Sequence, residues 1–290
     1  MSKRQVGLIG ATSLVGECVL PLLAIKDFSV TAYSRSVVNH VSTGVSWRII
    51  KSKELSGTLP SRIENWLCVA PIWVLPDYFE LLEAHGVRRV VALSSTSRFT
   101  KVGPGDTAEN AIAAKLIDAE ARVQAWAERR GIEWVVLRPT LIYGQGQDKN
   151  ISEMARFIRR FGFFPLLGSA QGLRQPIHAE DVAAACVAAL QAPGAANRAY
   201  NLSGGETLAY REMVARVFAA LGRPARLVTV PLWAFRLAVA MLRRLPRYGY
   251  WSSAMAKRMN RDLVFDHADA ARDFGFKPRG FALVAEDLPR

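Results

Sequence analysis

A glycine turn follows the first apolar segment of this chain and limits the folds that are open to it. Gln5–Ala11 is apolar enough for a buried strand, and it leads directly into Gly10-Ala-Thr-Ser-Leu-Val-Gly16. The next segment, Leu14–Ile25, has the spacing of a helix. A tight turn from strand to helix gathers backbone N–H groups and the positive end of a helix at one point. The turn therefore predicts a site for a phosphate-bearing dinucleotide near the start of the chain.

Short apolar segments alternate with helical ones over the first half of the chain. Further strands are predicted at Phe28–Tyr33, Val45–Ile50, Trp66–Ala70, Arg89–Ser94 and Glu133–Leu137, and helices at Pro76–His85 and Asp106–Arg130. Strands that are apolar throughout belong to a parallel sheet with helices on both faces. We therefore predict an α/β fold of the Rossmann type, with a doubly wound parallel sheet.

The pattern changes after Gly146, which indicates a second unit. Shorter strands and helices follow, at Gln175–His178, Ala179–Gln191, Ala199–Leu202, Leu208–Leu221 and Arg226–Val230. We predict a dinucleotide-binding domain over residues 1–146, with sheet contributions from later segments. Residues 147–290 are predicted to form a smaller C-terminal α/β substrate lobe that is interleaved with it.

The cysteines and the apolar runs restrict the class of protein. The chain of 290 residues holds only Cys18, Cys68 and Cys186, which lie far apart in apolar runs. This spacing argues against a disulfide framework or a zinc site and predicts a reducing compartment, the cytoplasm. No apolar run reaches the roughly 20 residues that a membrane-spanning helix needs.

The end of the second predicted strand bears on the type of dinucleotide. An acidic residue there would accept hydrogen bonds from the ribose hydroxyls, but the sequence reads Tyr33-Ser34-Arg35-Ser36. Ser34 and Arg35 could instead hold a 2′-phosphate, which favours NADP over NAD. A solvated loop arginine, with NAD as the cofactor, is the alternative.

Five motifs in order give the chain a family resemblance. They are GATSLVG (Gly10–Gly16), LSST (Leu93–Thr96), LRPTLIYG (Leu137–Gly144), RQPIHAEDVA (Arg174–Ala183) and YNLSGGE (Tyr200–Glu206). Together they resemble the extended short-chain dehydrogenase/reductases, in the NAD-dependent epimerase/dehydratase branch. The resemblance implies an oxidoreductase or epimerase that acts on a nucleotide-activated or lipid-linked sugar.

The resemblance also implies roles for individual residues. The pyrophosphate would face the first turn, the adenosine half would lie beside the fourth strand, and the nicotinamide would lie beside the fifth and sixth. A substrate diphosphate would be held by Arg174, through paired donors to phosphate oxygens. The cofactor residues implied in this way are Gly10, Thr12, Ser13, Leu14, Val15, Gly16, Ala70, Pro71, Ser94, Lys115, Pro139 and Thr140.

One departure from the family concerns catalysis. The family places a tyrosine four residues before a lysine on the long helix, and the tyrosine exchanges the proton. This chain has Lys115, but the tyrosine position is Ala111. Candidate substitutes are Ser95, Thr96 and Lys115 as catalytic groups, with Tyr143 near the substrate. The alternative is a non-catalytic NADP(H)-binding protein with a structural, sensing or accessory role.

Charge suggests a further partner. The net charge is +13, and Arg223–Arg261 contains nine Arg or Lys and no Asp or Glu. Within it, residues 231–251 combine arginines with aromatic residues, which suits peripheral contact with the inner membrane face. A lobe helix with solvated arginines is the alternative, and no motif indicates nucleic acid.

Two structural expectations concern the long predicted helix and His178. The resemblance implies that long helices pair into a four-helix interface, so Asp106–Arg130 is a candidate homodimer contact. No second histidine lies near His178 in the sequence. We therefore predict a structural junction at His178 and no metal site.

Overall fold

The computed structural model describes residues 4–36, 44–49, 62–100, 107–231, 233 and 258–289. In the first half of the chain the strands are β1 (Arg4–Ile9), β2 (Phe28–Ser34), β3 (Val45–Ile49), β4 (Asn65–Cys68), β5 (Arg89–Leu93) and β6 (Glu133–Pro139). The helices are α1 (Leu14–Ile25), a 3-10 helix (Ile72–Tyr78), α2 (Phe79–Ala84), α3 (Ser97–Thr100) and α4 (Thr107–Arg130). These elements match the predicted alternation, although Asp106, the first residue of the predicted helix Asp106–Arg130, lies outside the described residues.

A seven-stranded sheet forms the centre of the molecule. Its order is β11-β6-β5-β4-β1-β2-β3, where β11 is Arg198–Leu202. Every neighbouring pair is parallel. The predicted Rossmann-type fold is therefore confirmed.

The strand order reverses beside β1. The chain moves outward from β1 to β2 and β3, and then returns to place β4 on the other side of β1. The loops after β1 and β4 leave the sheet in opposite directions, which opens a crevice at the carboxyl ends of these strands. This topology places the glycine turn at the edge of the crevice.

Helices cover both faces of the sheet. On one face, α1 packs against α6 (Ala179–Gln191) over a core of aliphatic residues. On the other face, the first 3-10 helix, α2 and α4 cover a core that is richer in aromatic residues. There Phe79 and Trp126 stack with their ring centroids 4.0 Å apart. Both faces are thus buried, as the apolar strands require.

A smaller lobe has its own apolar core. Its elements are β7 (Ile142–Tyr143), α5 (Ile151–Phe161), β8 (Phe164–Leu167), β9 (Leu173–Arg174), β10 (Ile177–His178), β12 (Leu208–Ala209), α7 (Tyr210–Ala220) and β13 (Leu227–Val230). Further elements are the 3-10 turns Pro193–Ala195 and Ala285–Asp287, and α8 (Ala268–Phe274), which packs by the sheet edge. The proposed division at residues 146 and 147 stays a prediction.

One predicted helix begins later than expected. The sequence predicts a helix over Leu208–Leu221, but Leu208 and Ala209 pair antiparallel with β9 and the helix begins at Tyr210. Pairing with β9 satisfies backbone groups that a helix start would leave open. Among the described residues, no helix has the length and apolarity to cross a bilayer.

Candidate functional site

The glycine turn has a geometry that only glycine accommodates at its first position. Gly10 has a φ of +88°, and a Cβ there would lie 2.4 Å from the backbone nitrogen of Ala70. A Cβ on Gly16 would lie 2.2 Å from the carbonyl oxygen of Gly10. Gly10 therefore packs closely against the residue after β4, and Gly16 packs the start of α1 closely against the turn, as a dinucleotide turn requires.

Ser13 occupies the middle position of the turn and caps α1. Its Oγ accepts a hydrogen bond from the N–H of Gly16 at 3.1 Å and donates to the carbonyl of Val69 at 3.4 Å. Thr12 beside it is exposed, and Leu14 and Val15 form the first turn of α1. The first N–H groups of a helix have no intrahelical acceptor, so this end of α1 can receive an anion.

The residues after β4 border the same crevice. Ala70 is half-buried, and Pro71 is exposed and precedes the 3-10 helix Ile72–Tyr78. The structure thus brings Ala70 and Pro71 beside the glycine turn. Their predicted contact with an adenosine half stays a prediction.

Ser34 and Arg35 lie at the end of β2, on the other side of the glycine turn. The Oγ of Ser34 accepts from the N–H of Ser36 at 3.1 Å. Arg35 is exposed, and its charge acts on Tyr78, whose pKa is raised by burial and by Asp77 and lowered by Arg35. The guanidinium is therefore close enough to Tyr78, at the end of the 3-10 helix, for their charges to interact.

The residues after β5 form a polar group beside the sixth strand. Thr96 is buried and donates to the carbonyl of Pro139 at 3.2 Å. Ser95 is half-buried, and its Oγ accepts from the N–H of Ser97 at 3.1 Å. The hydrogen of Thr96 is therefore committed to the backbone, whereas the hydrogen of Ser95 has no acceptor among the described residues.

A buried ionic cluster, which none of the sequence motifs indicated, lies below these hydroxyls. The carboxylate of Glu120, on α4, accepts from Ser94, Arg98 and Arg138. Glu120 is only 5% exposed, so its charge depends on these partners. Two sequence signals could have indicated this cluster. They are Arg138 inside the apolar strand β6 and Glu120 on the apolar face of α4.

The cluster fixes the ends of β5 and β6 against α4. Both guanidiniums also lie over the ring of Phe99, at 5.1 Å for Arg98 and 5.4 Å for Arg138. The hydroxyl of Ser94 donates to Glu120, and the predicted contact of Ser94 with the cofactor stays a prediction. In the structure Ser94 supports the loop that carries Ser95.

Pro139 and Thr140 follow β6, opposite the loop after β5. Besides the Thr96 bond to Pro139, the hydroxyl of Thr140 donates to the carbonyl of Gln175. The N–H of Thr140 donates to the carbonyl of Leu202 at 2.9 Å. These bonds hold the end of β6 rigidly beside β11 and the loop before β10.

Ala111 and Lys115 lie on the exposed side of α4. The buried side of the helix passes instead through Ala113, Leu116 and Glu120. Lys115 is exposed, and its predicted contact with a ribose stays a prediction. The N-terminal part of α4 is tied to the C-terminal segment by an ion pair between Glu109 and Arg258.

Tyr143 lies inside the lobe rather than at the crevice. Its ring is fully buried and meets the rings of His178 and Phe281 edge to face, at centroid distances of 5.1 and 5.0 Å. Burial, followed by the charge of Asp287, raises the pKa of Tyr143 above its ordinary value. A contact between this hydroxyl and a substrate would require the lobe to open.

Arg174 is buried and already holds backbone carbonyl groups. Its guanidinium donates to the carbonyls of Leu173 and Arg261 at 2.7 and 2.8 Å, and also to that of Arg258. Burial lowers its pKa and is the largest influence on it. The structure thus gives Arg174 a structural role between β9 and residues 258–261, and the diphosphate role stays a prediction.

His178 forms the predicted junction before α6. Its Nδ1 accepts from the N–H of Glu180 at 3.2 Å, so Nε2 carries the hydrogen that is donated to Asp287 at 3.0 Å. Asp287 also accepts from the N–H of Val284 at 3.1 Å. The histidine therefore caps α6 and anchors the C-terminal turn.

The three cysteines are buried free thiols. Burial raises the pKa of Cys18 to about 11 and that of Cys186 to about 12. Thiols with such pKa values stay protonated near neutral pH and are poor nucleophiles.

Residues 231–251, where membrane contact was predicted, lie outside the described residues apart from Pro231 and Trp233.

Comparisons with known proteins agree with this geometry. The profile of the NAD dependent epimerase/dehydratase family matches residues 77–203. UDP-glucose 4-epimerase of Vibrio cholerae is 26% identical over 161 residues, which cover 56% of this chain and 47% of that protein. 2-Alkyl-3-oxoalkanoate reductase of Stenotrophomonas maltophilia is 30% identical over 218 residues, which cover 68% of this chain and 66% of that protein.

A solved structure extends the likeness to the whole fold. UDP-glucuronic acid 4-epimerase from Bacillus cereus, in complex with NAD, superposes with a TM-score of 0.70 at 12% identity. The match covers 98% of this chain and 95% of that one. The chain spans about half the length of the first curated relatives that it matches, 47% and 50%.

Proposed function

Because the chain belongs to the NAD-dependent epimerase/dehydratase family, we propose that it binds a nicotinamide dinucleotide at the turn Gly10–Gly16. The single observation that carries this proposal is the close packing of Gly10 against Ala70, where the strand order reverses. The end of α1 would receive the pyrophosphate, with Thr12, Leu14 and Val15 nearest to it. The crevice between the β2 loop and the 3-10 helix would hold the adenosine half.

We propose NADP rather than NAD as the preferred dinucleotide. The support is Arg35, an exposed guanidinium at the end of β2 with no acid beside it in Tyr33–Ser36. A 2′-phosphate would gain a charge-assisted hydrogen bond there, whereas the free hydroxyl of NAD would not.

Titration of the purified chain with NADPH and NADH tests both proposals. Arg35→Ala should weaken NADPH binding about tenfold or more and leave NADH binding within about twofold, since one bond to a charged group is lost. The control is Arg129→Ala, an exposed arginine on α4. No affinity for either dinucleotide in the wild type would end the proposal, and equal losses for both would reject the NADP preference.

We further propose an oxidoreductase or epimerase reaction on a nucleotide-activated or lipid-linked sugar. When bound, a reduced nicotinamide supplies a hydride to a carbonyl carbon, and its oxidised form accepts one from a carbon that bears a hydroxyl. Ser95 would donate its hydroxyl hydrogen to the carbonyl oxygen, and the oxygen would take its proton from solvent. Thr96, Pro139 and the Glu120 cluster would hold Ser95 in place. Lys115 would hold the ribose if its side chain turns into the crevice.

Absorbance at 340 nm with NADPH and candidate 4-keto nucleotide sugars tests the reaction. We expect consumption of NADPH that falls about a hundredfold in Ser95→Ala, because an oriented hydrogen-bond donor to the oxygen is lost. No turnover on any candidate sugar, with the cofactor bound, would contradict it.

A second candidate is a non-catalytic NADP(H)-binding protein, and the alanine at position 111 favours it. Ala111→Tyr separates the two candidates, and Ala114→Tyr is the matched control on another exposed position of α4. Turnover that appears only in Ala111→Tyr would identify the natural chain as a binder. Comparable turnover in the wild type would identify an enzyme.

A further inference from the structure

Two stretches without acidic residues meet on one side of the lobe. No Asp or Glu occurs between Glu153 and Glu180, or between Glu212 and Asp262. The fold pairs these stretches, because β8 and β13 run parallel with Phe164 opposite Leu227 and Leu167 opposite Val230. The guanidinium of Arg223 also donates to the carbonyls of Ile158 and Arg159, at 3.0 and 3.2 Å. Tertiary contacts therefore bring together residues from two stretches that contain no acidic residue of their own.

Large aromatic side chains stand exposed on this surface. Phe161 at the end of α5 is 51% exposed, and Phe163 in the turn that follows is 37% exposed. The centroids of these two rings lie 6.4 Å apart. The ring of Phe161 packs on Phe157 at 4.6 Å, so its orientation is fixed from below. Exposed apolar groups that are grouped in this way mark a contact surface more often than isolated ones do.

Arginines surround the aromatic rings. The guanidinium of Arg160 lies 5.2 Å from the centre of the Phe161 ring, and the side chains of Arg156 and Arg226 are exposed. One carboxylate borders the surface, because the exposed Glu286 follows Ala285, which lines a small pocket with Arg159 and Arg223. The balance of charge is positive. We name the surface formed by Arg160, Phe161, Phe163 and Arg226 the arginine–aromatic face.

We propose that the arginine–aromatic face docks on an anionic lipid surface. Guanidinium groups pair with phosphate headgroups, while Phe rings enter the boundary between headgroups and acyl chains. The charge excludes a predominantly cationic partner, and the mixture of rings and arginines fits an interface that is apolar on one side and anionic on the other. The crevice that carries the proposed dinucleotide is built from the sheet, so docking and cofactor binding are separable.

Co-sedimentation with lipid vesicles tests the proposal. The wild type should bind phosphatidylcholine vesicles that contain phosphatidylglycerol at least about tenfold more strongly than pure phosphatidylcholine vesicles, and added salt should weaken the binding. Arg160→Glu/Arg226→Glu should lower this binding about tenfold or more, and Phe161→Ser/Phe163→Ser should do so as well. The double variant Arg122→Glu/Arg129→Glu is the control, because it makes the same charge change on the exposed side of α4.

Several results would overturn the proposal. The first is equal binding of the wild type to both vesicle types. The second is an equal loss of vesicle binding in the control and in Arg160→Glu/Arg226→Glu. Stronger binding to duplex DNA than to anionic vesicles would assign the face to nucleic acid. Self-association in sedimentation velocity that Phe161→Ser/Phe163→Ser abolishes, without vesicle binding, would assign it to a second copy of this chain. NADPH affinity and the thermal midpoint, measured on every variant, separate loss of docking from loss of fold or of the proposed function.

Discussion

Single residues at the glycine turn have roles that the sequence could predict. A glycine between an apolar strand and a helix signals either a positive φ or a close approach, and Gly10 shows both. Ser13 was harder to interpret, because a hydroxyl can bind phosphate or cap a helix, and in the structure it caps α1. Local geometry therefore follows from the sequence where the backbone itself imposes the choice of residue.

The strain at Gly10 leads to the first stability prediction. Gly10→Ala should lower the free energy of unfolding by about 2 kcal/mol or more beyond Gly131→Ala, because it adds a clash with Ala70 to the cost of a positive φ. Gly131 is the matched control, with a φ of +66° and nothing within 4 Å of an added Cβ. Urea unfolding of both variants measures the difference, and equal losses would show that the turn relaxes without strain.

At the scale of helices and strands, the sequence predicted which elements form better than it predicted what surrounds their side chains. The bounds of α6 agree with the prediction at both ends, because the capping residues lie next to it in the sequence. Tyr143 and Arg174 were placed near a substrate, yet Tyr143 lies in the lobe core and Arg174 binds three carbonyls. Phe281 packs on Tyr143, and the carbonyls of Arg258 and Arg261 accept from Arg174. No local pattern connects these distant residues to β7 or β9.

Arg174 supplies the prediction at this scale. Arg174→Met should lower the free energy of unfolding by about 3 kcal/mol, because buried carbonyls would lose charged donors. Arg211→Met, an exposed arginine on α7, should change it by less than about 0.5 kcal/mol. Thermal unfolding and nucleotide-sugar binding should be measured together. Weaker binding with unchanged stability would instead support the diphosphate role.

At the scale of the whole molecule, the C-terminal turn closes the lobe onto α6. Asp287 joins His178 to the turn Ala285–Asp287, and it also accepts from the N–H of Gln145 at 3.4 Å. Burial alone would raise the pKa of Asp287, but the hydrogen bonds from His178 and the N–H of Val284 outweigh it and hold the pKa below 3.8. This contact links segments that are more than a hundred residues apart in the chain.

The lowered pKa of Asp287 predicts a pH dependence of stability. Since the folded pKa lies below the unfolded one, the stabilisation is complete above the ordinary value of 3.8 and is lost as pH falls through the folded pKa. The free-energy difference between wild type and Asp287→Asn should therefore be constant above that pH and shrink below it. Denaturant unfolding against pH measures it, with Glu286→Gln as the exposed control. A difference that grows toward acid would contradict the prediction.

The parallel sheet, its two covered faces and the turn that opens the crevice all follow from sequence patterns. Apolar periodicity and glycine positions act over a few residues, so they are visible without a fold. Tertiary contacts, in contrast, place Glu120 beneath Ser94 between two arginines and join two acid-free stretches into one face. Such contacts depend on which elements become neighbours, and that is settled by burial over the whole chain rather than by any segment.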